Sequence, residues 1–339
     1  MPFCCPAVLP ALRRPLYSPQ VSWYNKFVLH IFIRKEHQHV KYRLMLLLTA
    51  LVWGCAFVAQ RTGMETIGPF AFNGLRFWLG ALSLFPVLYM NRRKDEETYA
   101  VPPKRLTLVT ASAILGFFLF SGSSFQQVGL IYTTAGKAGF ITSLYIVAVP
   151  LIGLLMKNTL RLAHVLGCLI AVSGLYLLAF HGGGEAVNFG DLLNLIGVVF
   201  WSLHILFIDR FVPYFSGIKL AVGQFIACGC YNFIAMPFYG ETLTLAMIVA
   251  SAVPIIYCGI LSSGVGYTLQ IVAQRKVPPT EASLLCSFEM IFGALAGVLL
   301  LGEWMSMREF MGCVLMTIGI FSAQIPSRAI LQFRKNLSY

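Results

Sequence analysis

Charge is what this sequence has least of. Of its 339 residues, 11% are Asp, Glu, Lys or Arg, against roughly 25% in a soluble domain. A water-soluble globule of this size could not hide so much apolar surface, and a chain this hydrophobic is not intrinsically disordered. Metal and nucleotide signatures are missing too. The nine cysteines form no CxxC pair, no HExxH spacing occurs, and seven of them (Cys55, Cys168, Cys228, Cys230, Cys258, Cys286, Cys313) fall inside apolar runs, where a small packed hydrophobe is the expected role. No GxxxxGK[ST] loop is present, so ATP-driven pumping by this chain alone is excluded. The Gly182-Gly183-Gly184 triplet lacks the following Lys-Ser/Thr and reads as a connector. No cofactor is implied.

What is there in abundance is apolar sequence. Hydrophobic residues make up 58% of the chain and mean hydropathy is +0.77. One membrane helix takes about 20 apolar residues, so about ten helices would absorb nearly all of them. Ten apolar runs are legible, at 44–61, 69–90, 106–127, 136–156, 162–180, 190–209, 217–238, 247–272, 281–301 and 309–326. The expected fold is an all-α polytopic membrane protein. The linkers are short, and the longest, 91–105, cannot form a domain. Residues 1–43 precede the first run. They begin with a proline-rich stretch without helical period, carry no signal-peptide pattern, and contain an apolar run (27–33) too short to span. This segment is expected to be a disordered or interface-lying cytoplasmic extension.

Net charge is +12. In a membrane protein that excess concerns orientation rather than nucleic acid, which is not an expected partner. If the inter-helix segments alternate sides, Arg61, Lys137 and Arg308 fall on one side and Arg76 falls within a span. All the remaining Lys and Arg lie on the other side, including those of the N-terminal extension and of the tail 327–339. Cytoplasmic loops collect Lys and Arg, so both termini are expected in the cytoplasm of a multi-pass protein of the plasma membrane.

The two halves resemble each other. Residues 125–153 align with 269–297 at a constant offset of 144, matching Gln126 to Gln270, Ala138 to Ala282 and Ser143 to Ser287. At an offset of 148, Trp53 matches Trp201 and Phe77 matches Phe225. Further on, Gly167 matches Gly312 and Gly174 matches Gly319. The expected organisation is two five-helix repeats, 44–180 and 190–326. Because five is odd, the second repeat enters the membrane from the opposite side. Inverted repeats of this kind build secondary transporters, whose central cavity opens to alternate sides as the halves exchange conformations.

Several pieces carry a family resemblance. They are Trp53-Gly54, Phe57-Val58, Pro69 and Arg76-Phe77 in the first two helices, and the run 287–303, with a mid-helix Glu289 and a closing Gly302-Glu303. On these, residues 44–326 resemble EamA-type members of the drug/metabolite transporter superfamily. The resemblance implies a ten-helix, inverted-repeat permease moving a small metabolite such as an amino acid or related compound, with export the usual direction. Many relatives place a Pro after the mid-helix Glu. Here that position is Met290, which leaves a helix break there without its usual cause.

Ionisable groups within a span cost about 2.5–3.5 kcal/mol on insertion scales and face protein or water. Glu289 lies near mid-bilayer, as the proton-binding group of a coupled carrier or as a structural Glu bonded to a neighbouring helix. Arg76 could bind a substrate carboxylate bidentately, snorkel, or pair with Glu289 or Glu65. Its repeat counterpart is the uncharged Gln224, which suits a role needed in one half only. His204 is a candidate site residue or a hydrogen-bonded packing residue. Trp53, Tyr145, Gln126 and Gln270 are cavity candidates, with Trp201, Tyr267, Phe140 and Gln127 behind them, each equally explicable as packing. Lys137, Glu303 and Glu309 read as gate or surface charges. Gly259, Gly264 and Gly266 offer either a hinge or close packing. The partners expected are a small-molecule substrate, the bilayer and, if transport is coupled, H+. Monomer and homodimer are both compatible. Two rival readings are a membrane-embedded lipid-modifying enzyme and a channel or sensor. The first needs a clustered polar catalytic set, whereas the six histidines are scattered. The second needs a filter-like motif, which is absent.

Overall fold

The computed structural model describes residues 19–90, 99–158, 160–179, 188–301, 304 and 306–323. These are mostly helical, with no strand among them. The helices are α1 (Pro19–Gly63), α2 (Pro69–Met90), α3 (Leu108–Tyr132), α4 (Ala135–Ser143), α5 (Tyr145–Leu155), α6 (Leu162–Ala179), α7 (Phe189–Phe211) and α8 (Gly217–Phe238). After them come α9 (Leu245–Ala250), α10 (Ala252–Ile256), a π-helix (Tyr257–Tyr267), α11 (Thr268–Gln274), α12 (Pro279–Cys286), α13 (Glu289–Leu301) and α14 (Met307–Ala323). Among the described residues, seven helical stretches are long and apolar enough to cross a membrane, counting α4 with α5, and α10 through α11, as one each. The Gly182–Gly184 triplet, Glu303 and the tail 327–339 lie outside the described residues.

Helix α1 starts well before the first apolar run, and the stretch of it apolar enough to cross a membrane is Val40–Gly63. The helix begins at Pro19 because no Gly or further Pro interrupts the chain until Gly54, and Pro suits a first helical position. The chain divides into two compact units, Met1–Lys41 and Tyr42–Tyr339. All that follows concerns the second.

Exposed apolar side chains cover the outside of that unit, among them Leu82, Val109, Leu155, Leu169, Leu195, Ile234 and Leu299. The inside holds an apolar cluster threaded by buried polar groups such as Asn73, Arg76, Gln127, Asn194, Gln224 and Asn232. That inversion is the signature of helices solvated by lipid, where packing and internal polar contacts replace the hydrophobic drive.

The principal packings are α6 on α14, α3 on α7, α2 on α8, α3 on α8 and α2 on the π-helix. The first rests on glycine. A Cβ at Gly174 would sit 2.4 Å from Met316 N and 2.6 Å from Gly312 O, and one at Gly319 would sit 2.7 Å from Gly167 O. The two backbones are in contact, so neither glycine can carry a side chain without separating the helices. Gly174→Leu is therefore expected to destabilise the protein at or beyond the top of the ~1–3 kcal/mol range for overpacking. It should show as a drop of several degrees in the detergent melting temperature. Gly136→Ala, where nothing lies within 4 Å and the residue is helical, should hold that temperature or raise it slightly.

Candidate functional site

Two broken helices build the centre of the molecule. Helix α4 ends at Ser143, Leu144 takes ψ −8°, and its N–H bonds back to Ile141 and Thr142. Helix α5 then starts at Tyr145. Likewise α12 ends at Cys286, Ser287 takes ψ −10°, and Ser287 Oγ donates to Leu284 O at 2.7 Å. Phe288 N and Met290 N bond back three residues, to Leu285 O and Ser287 O. These tightened turns interrupt the α-helical ladder, so the break before Glu289 forms without a proline. Each break sets a polar side chain in the first turn of the following half-helix, facing inward. Tyr145 OH donates to Glu289 Oε1 at 3.0 Å, and Ser143 Oγ approaches the same oxygen at 3.5 Å.

The Trp53-Gly54 pair acquires a reason here. A Cβ at Gly54 would come within 2.5 Å of Glu289 O and 2.7 Å of Gly293 N, so α1 lies directly against the start of α13. One residue earlier, Trp53 Nε1 donates to Ser262 O at 3.1 Å. Thr49 Oγ1 donates to Gly266 O at 3.0 Å. Helix α1 is thereby fastened to the π-helix, whose wider turns leave carbonyls available to side chains.

Between these elements lies a cavity of about 40 Å³, room for about three waters at most. All seven leading candidates border it: Trp53, Arg76, Gln126, Tyr145, His204, Gln270 and Glu289. Trp201 and Tyr267 join them, while Phe140 and Gln127 are not on its wall. Tyr267 lies 4.6 Å from Trp53, stacks on Trp201 at 6.1 Å between centroids, and also meets Phe77 and Phe225.

Arg76 is 2% exposed. Its guanidinium lies over the Phe77 ring at 4.7 Å and near Phe72 at 5.8 Å. Its Nε has no hydrogen-bond partner, and no carboxylate among the described residues pairs with it. The ion pairs with Glu289 or Glu65 that the sequence left open do not form. His204 is buried, its Nε2 donating to Gln224 Oε1 at 2.9 Å, so it is a hydrogen-bonded packing residue that also faces the cavity. Gln60 Oε1, Thr142 Oγ1, Trp201 Nε1 and Gln270 Oε1 are likewise buried without partners. Buried polar groups are normally satisfied, and a cluster of unsatisfied ones around one cavity suits a polar ligand.

Sequence reasoning missed Gln60, Thr142 and Ser262 on this wall. Gln60 falls seven residues after Trp53, on the same helical face, and Thr142 falls three before Tyr145. That spacing could have found both. Ser262 could not be found so, because its π-helical register departs from the α-helical period. Lys137, buried, pairs with Asp191 at 3.3 Å, and Glu309 accepts from Ser306 N at 2.6 Å as a helix cap. No three His, Cys, Asp or Glu among the described residues are grouped to hold a metal.

A multi-pass helical bundle with a polar cavity at its broken helices is the architecture of a membrane transporter. The profile of the EamA-like transporter family matches this chain twice, at residues 40–180 and 188–323, and the chain belongs to that family. An uncharacterized transporter of Archaeoglobus fulgidus is 30% identical over 277 residues, 81% of this chain and 83% of the relative. The uncharacterized transporter YoaV of Bacillus subtilis is 24% identical, over 83% of this chain and 96% of that one. The uncharacterized inner membrane transporter YedA of Escherichia coli is 23% identical, over 83% and 93%. A solved crystal structure superimposes with a TM-score of 0.71 at 18% identity, covering 85% of this chain and 98% of the other, a likeness of fold alone.

Proposed function

We propose that this protein is a secondary transporter of a small metabolite, built of ten spans in two inverted repeats and working by alternating access. The repeats are 44–180 and 190–326, with a cytoplasmic extension 1–43 and tail 327–339. Contacts between repeat-equivalent positions support this reading. Phe77 meets Phe225 across 6.1 Å, and Tyr145 hydrogen-bonds Glu289, its equivalent at the 144 offset. Gly167 approaches Gly319 while Gly174 approaches Gly312, the reciprocity expected across a two-fold axis. The breaks in α4–α5 and α12–α13 also fall at equivalent positions, and discontinuous helices in corresponding places mark transporter binding sites.

The observation that carries the substrate reading is Arg76, which meets Cys258 but no carboxylate among the described residues, on the same cavity wall as Glu289. An anionic group of the substrate takes Arg76 as its partner. Glu289 takes the cationic group of a zwitterion such as an amino acid, or a proton in coupled export. The aromatic cluster around Tyr267 covers an apolar side chain. At about 40 Å³ the cavity must widen to admit any metabolite, as alternation requires. The test is flux in proteoliposomes with amino acids, nucleosides and organic cations, each with and without a pH gradient. Amino acids or related carboxylates should move, and movement of organic cations alone would count against the role of Arg76.

The proposed orientation, with both termini cytoplasmic in the plasma membrane, rests on the Lys and Arg distribution. It predicts opposite sidedness for two exposed loop positions. In cysteine-free protein, Lys104→Cys should react with an impermeant thiol reagent from the cytoplasmic face and Thr242→Cys from the outer face. Reaction of both from one face would break the ten-span topology.

A further inference from the structure

Two ion pairs lie away from the cavity. Arg43 Nε meets Glu281 Oε1 at 2.5 Å, joining α1 to α12. Lys137 Nζ meets Asp191 Oδ2 at 3.3 Å, joining α4 to α7. Positions 43 and 191 are related by the 148-residue offset that relates Trp53 to Trp201. Positions 137 and 281 are related by the 144-residue offset that relates Gln126 to Gln270. Both bridges therefore join the same two repeat positions, with the signs exchanged: basic to acidic in one, acidic to basic in the other. In inverted repeats, equivalent positions fall on opposite membrane faces. Arg43 and Glu281 then stand at the cytoplasmic ends of their membrane spans, and Asp191 and Lys137 at the outer ends of theirs.

We propose that Arg43–Glu281 and Lys137–Asp191 are the inner and outer latches of the transport cycle, each broken when the cavity opens to its own side. This rests on the alternating-access reading above. Each bridge links the first span of one repeat to the fourth span of a repeat, and these four spans carry Trp53, Trp201, Tyr145 and Glu289 around the cavity. Separating either pair of helix ends uncovers that cavity from one side. Both bridges are closed here, in keeping with a cavity of about 40 Å³. A bond present only in states closed on one side shifts the population towards those states.

The latches are unequal. The outer side chains are 9% and 7% exposed, the inner ones 38% and 17%. Asp191 is further held by Thr133 Oγ1 at 2.7 Å and Asn188 N at 3.0 Å. A buried bridge with extra hydrogen bonds loses more on truncation than a solvated one. Breaking the outer latch therefore has the larger effect.

The test uses cysteine-free, full-length protein in sealed vesicles with a reporter, Thr142→Cys, on the cavity wall, and an impermeant thiol reagent applied to one face at a time. Lys137→Ala should raise outer-face labelling by about ten-fold or more. Arg43→Ala should raise inner-face labelling by about two- to five-fold. Exchanging the signs within a pair (Lys137→Asp with Asp191→Lys, or Arg43→Glu with Glu281→Arg) should restore the original pattern. Should a single variant fail to fold, cysteines at 137 and 191 joined by a bifunctional reagent must abolish outer-face labelling and spare inner-face labelling, and those at 43 and 281 the reverse. Two-sided labelling indifferent to both pairs, or a shift towards the same face from both, overturns the latches and leaves transport standing. A reporter reached from one face only in every variant would instead overturn alternating access itself.

Discussion

Arg76→Gln is expected to abolish transport while leaving the protein as stable as before, or slightly more so. The opposing terms decide the sign. A guanidinium within the membrane costs about 2.5–3.5 kcal/mol on insertion scales. Its contacts with Phe77 and Phe72 return about 0.5–2 kcal/mol as cation–π attraction. No carboxylate among the described residues offsets the remainder. Gln fills part of the space and carries no charge, so the melting temperature should hold or rise by a few degrees. Function should move the other way. A hydrogen bond to a charged group contributes about 1.5–3 kcal/mol, so loss of a bidentate contact lowers transport by about 100-fold or more. Arg76→Lys should fall between, because an ammonium cannot reproduce the planar fork. Stability that rises as function disappears marks a group retained for a ligand. A falling melting temperature with normal flux in the surviving protein would make Arg76 a packing residue.

Where the chain carries its own punctuation, the fold could be read from it. Helices α2 and α8 end where expected, at 69–90 and 217–238. Pro69 starts the first of these, and the second starts just after Ser216 with no cue beyond its apolar run. In α1 apolar run length marks only the part that can cross a membrane, Val40–Gly63, whereas the helix itself continues through polar residues until something breaks it. The break before Glu289 was hidden for the complementary reason: ψ angles near zero at Leu144 and Ser287 interrupt the ladders, and no residue type announces such angles. The π-helix is similarly silent, although its glycines stand out in the sequence. They prove to be close contacts: Gly266 faces the Trp53 indole, whose Nε1 a Cβ would approach to 2.6 Å. The site residues were legible because intramembrane polarity is costly, so almost every polar side chain within a span had to face the interior. What the sequence could not decide was partnership. Arg76 and Glu289 are the natural ion pair on paper, yet Glu289 takes Tyr145 and Ser143 as its donors.

That choice of donors sharpens the expectation for Glu289→Gln. Had Glu289 been paired with Arg76, removing its charge would have left a buried cation alone, at a cost of about 3–5 kcal/mol. With hydroxyl donors instead, the Gln side-chain oxygen can accept from Tyr145 in the same place, so stability should change by no more than about 1 kcal/mol. The effect should fall on coupling. Gln has the size of the protonated Glu and cannot release a proton. If the proposed cycle returns a proton through Glu289, the variant is held in one protonation state. Uphill, gradient-driven flux should collapse to background, while exchange of labelled for unlabelled substrate at equal concentrations persists, because exchange needs no net proton movement. Tyr145→Phe provides the control. It removes one hydroxyl from the carboxylate and leaves the titrating group, so uphill flux should weaken without vanishing and its pH dependence should shift. If Glu289 instead receives only a substrate ammonium, exchange and uphill flux should fall together in the Gln variant, since both require binding. Comparing the two fluxes, beside a melting temperature that holds steady, separates a proton carrier from a substrate ligand. Wild-type uphill flux in Glu289→Gln would remove both roles, and Tyr145 and Glu289 would then be a hydrogen-bonded contact between two half-helices.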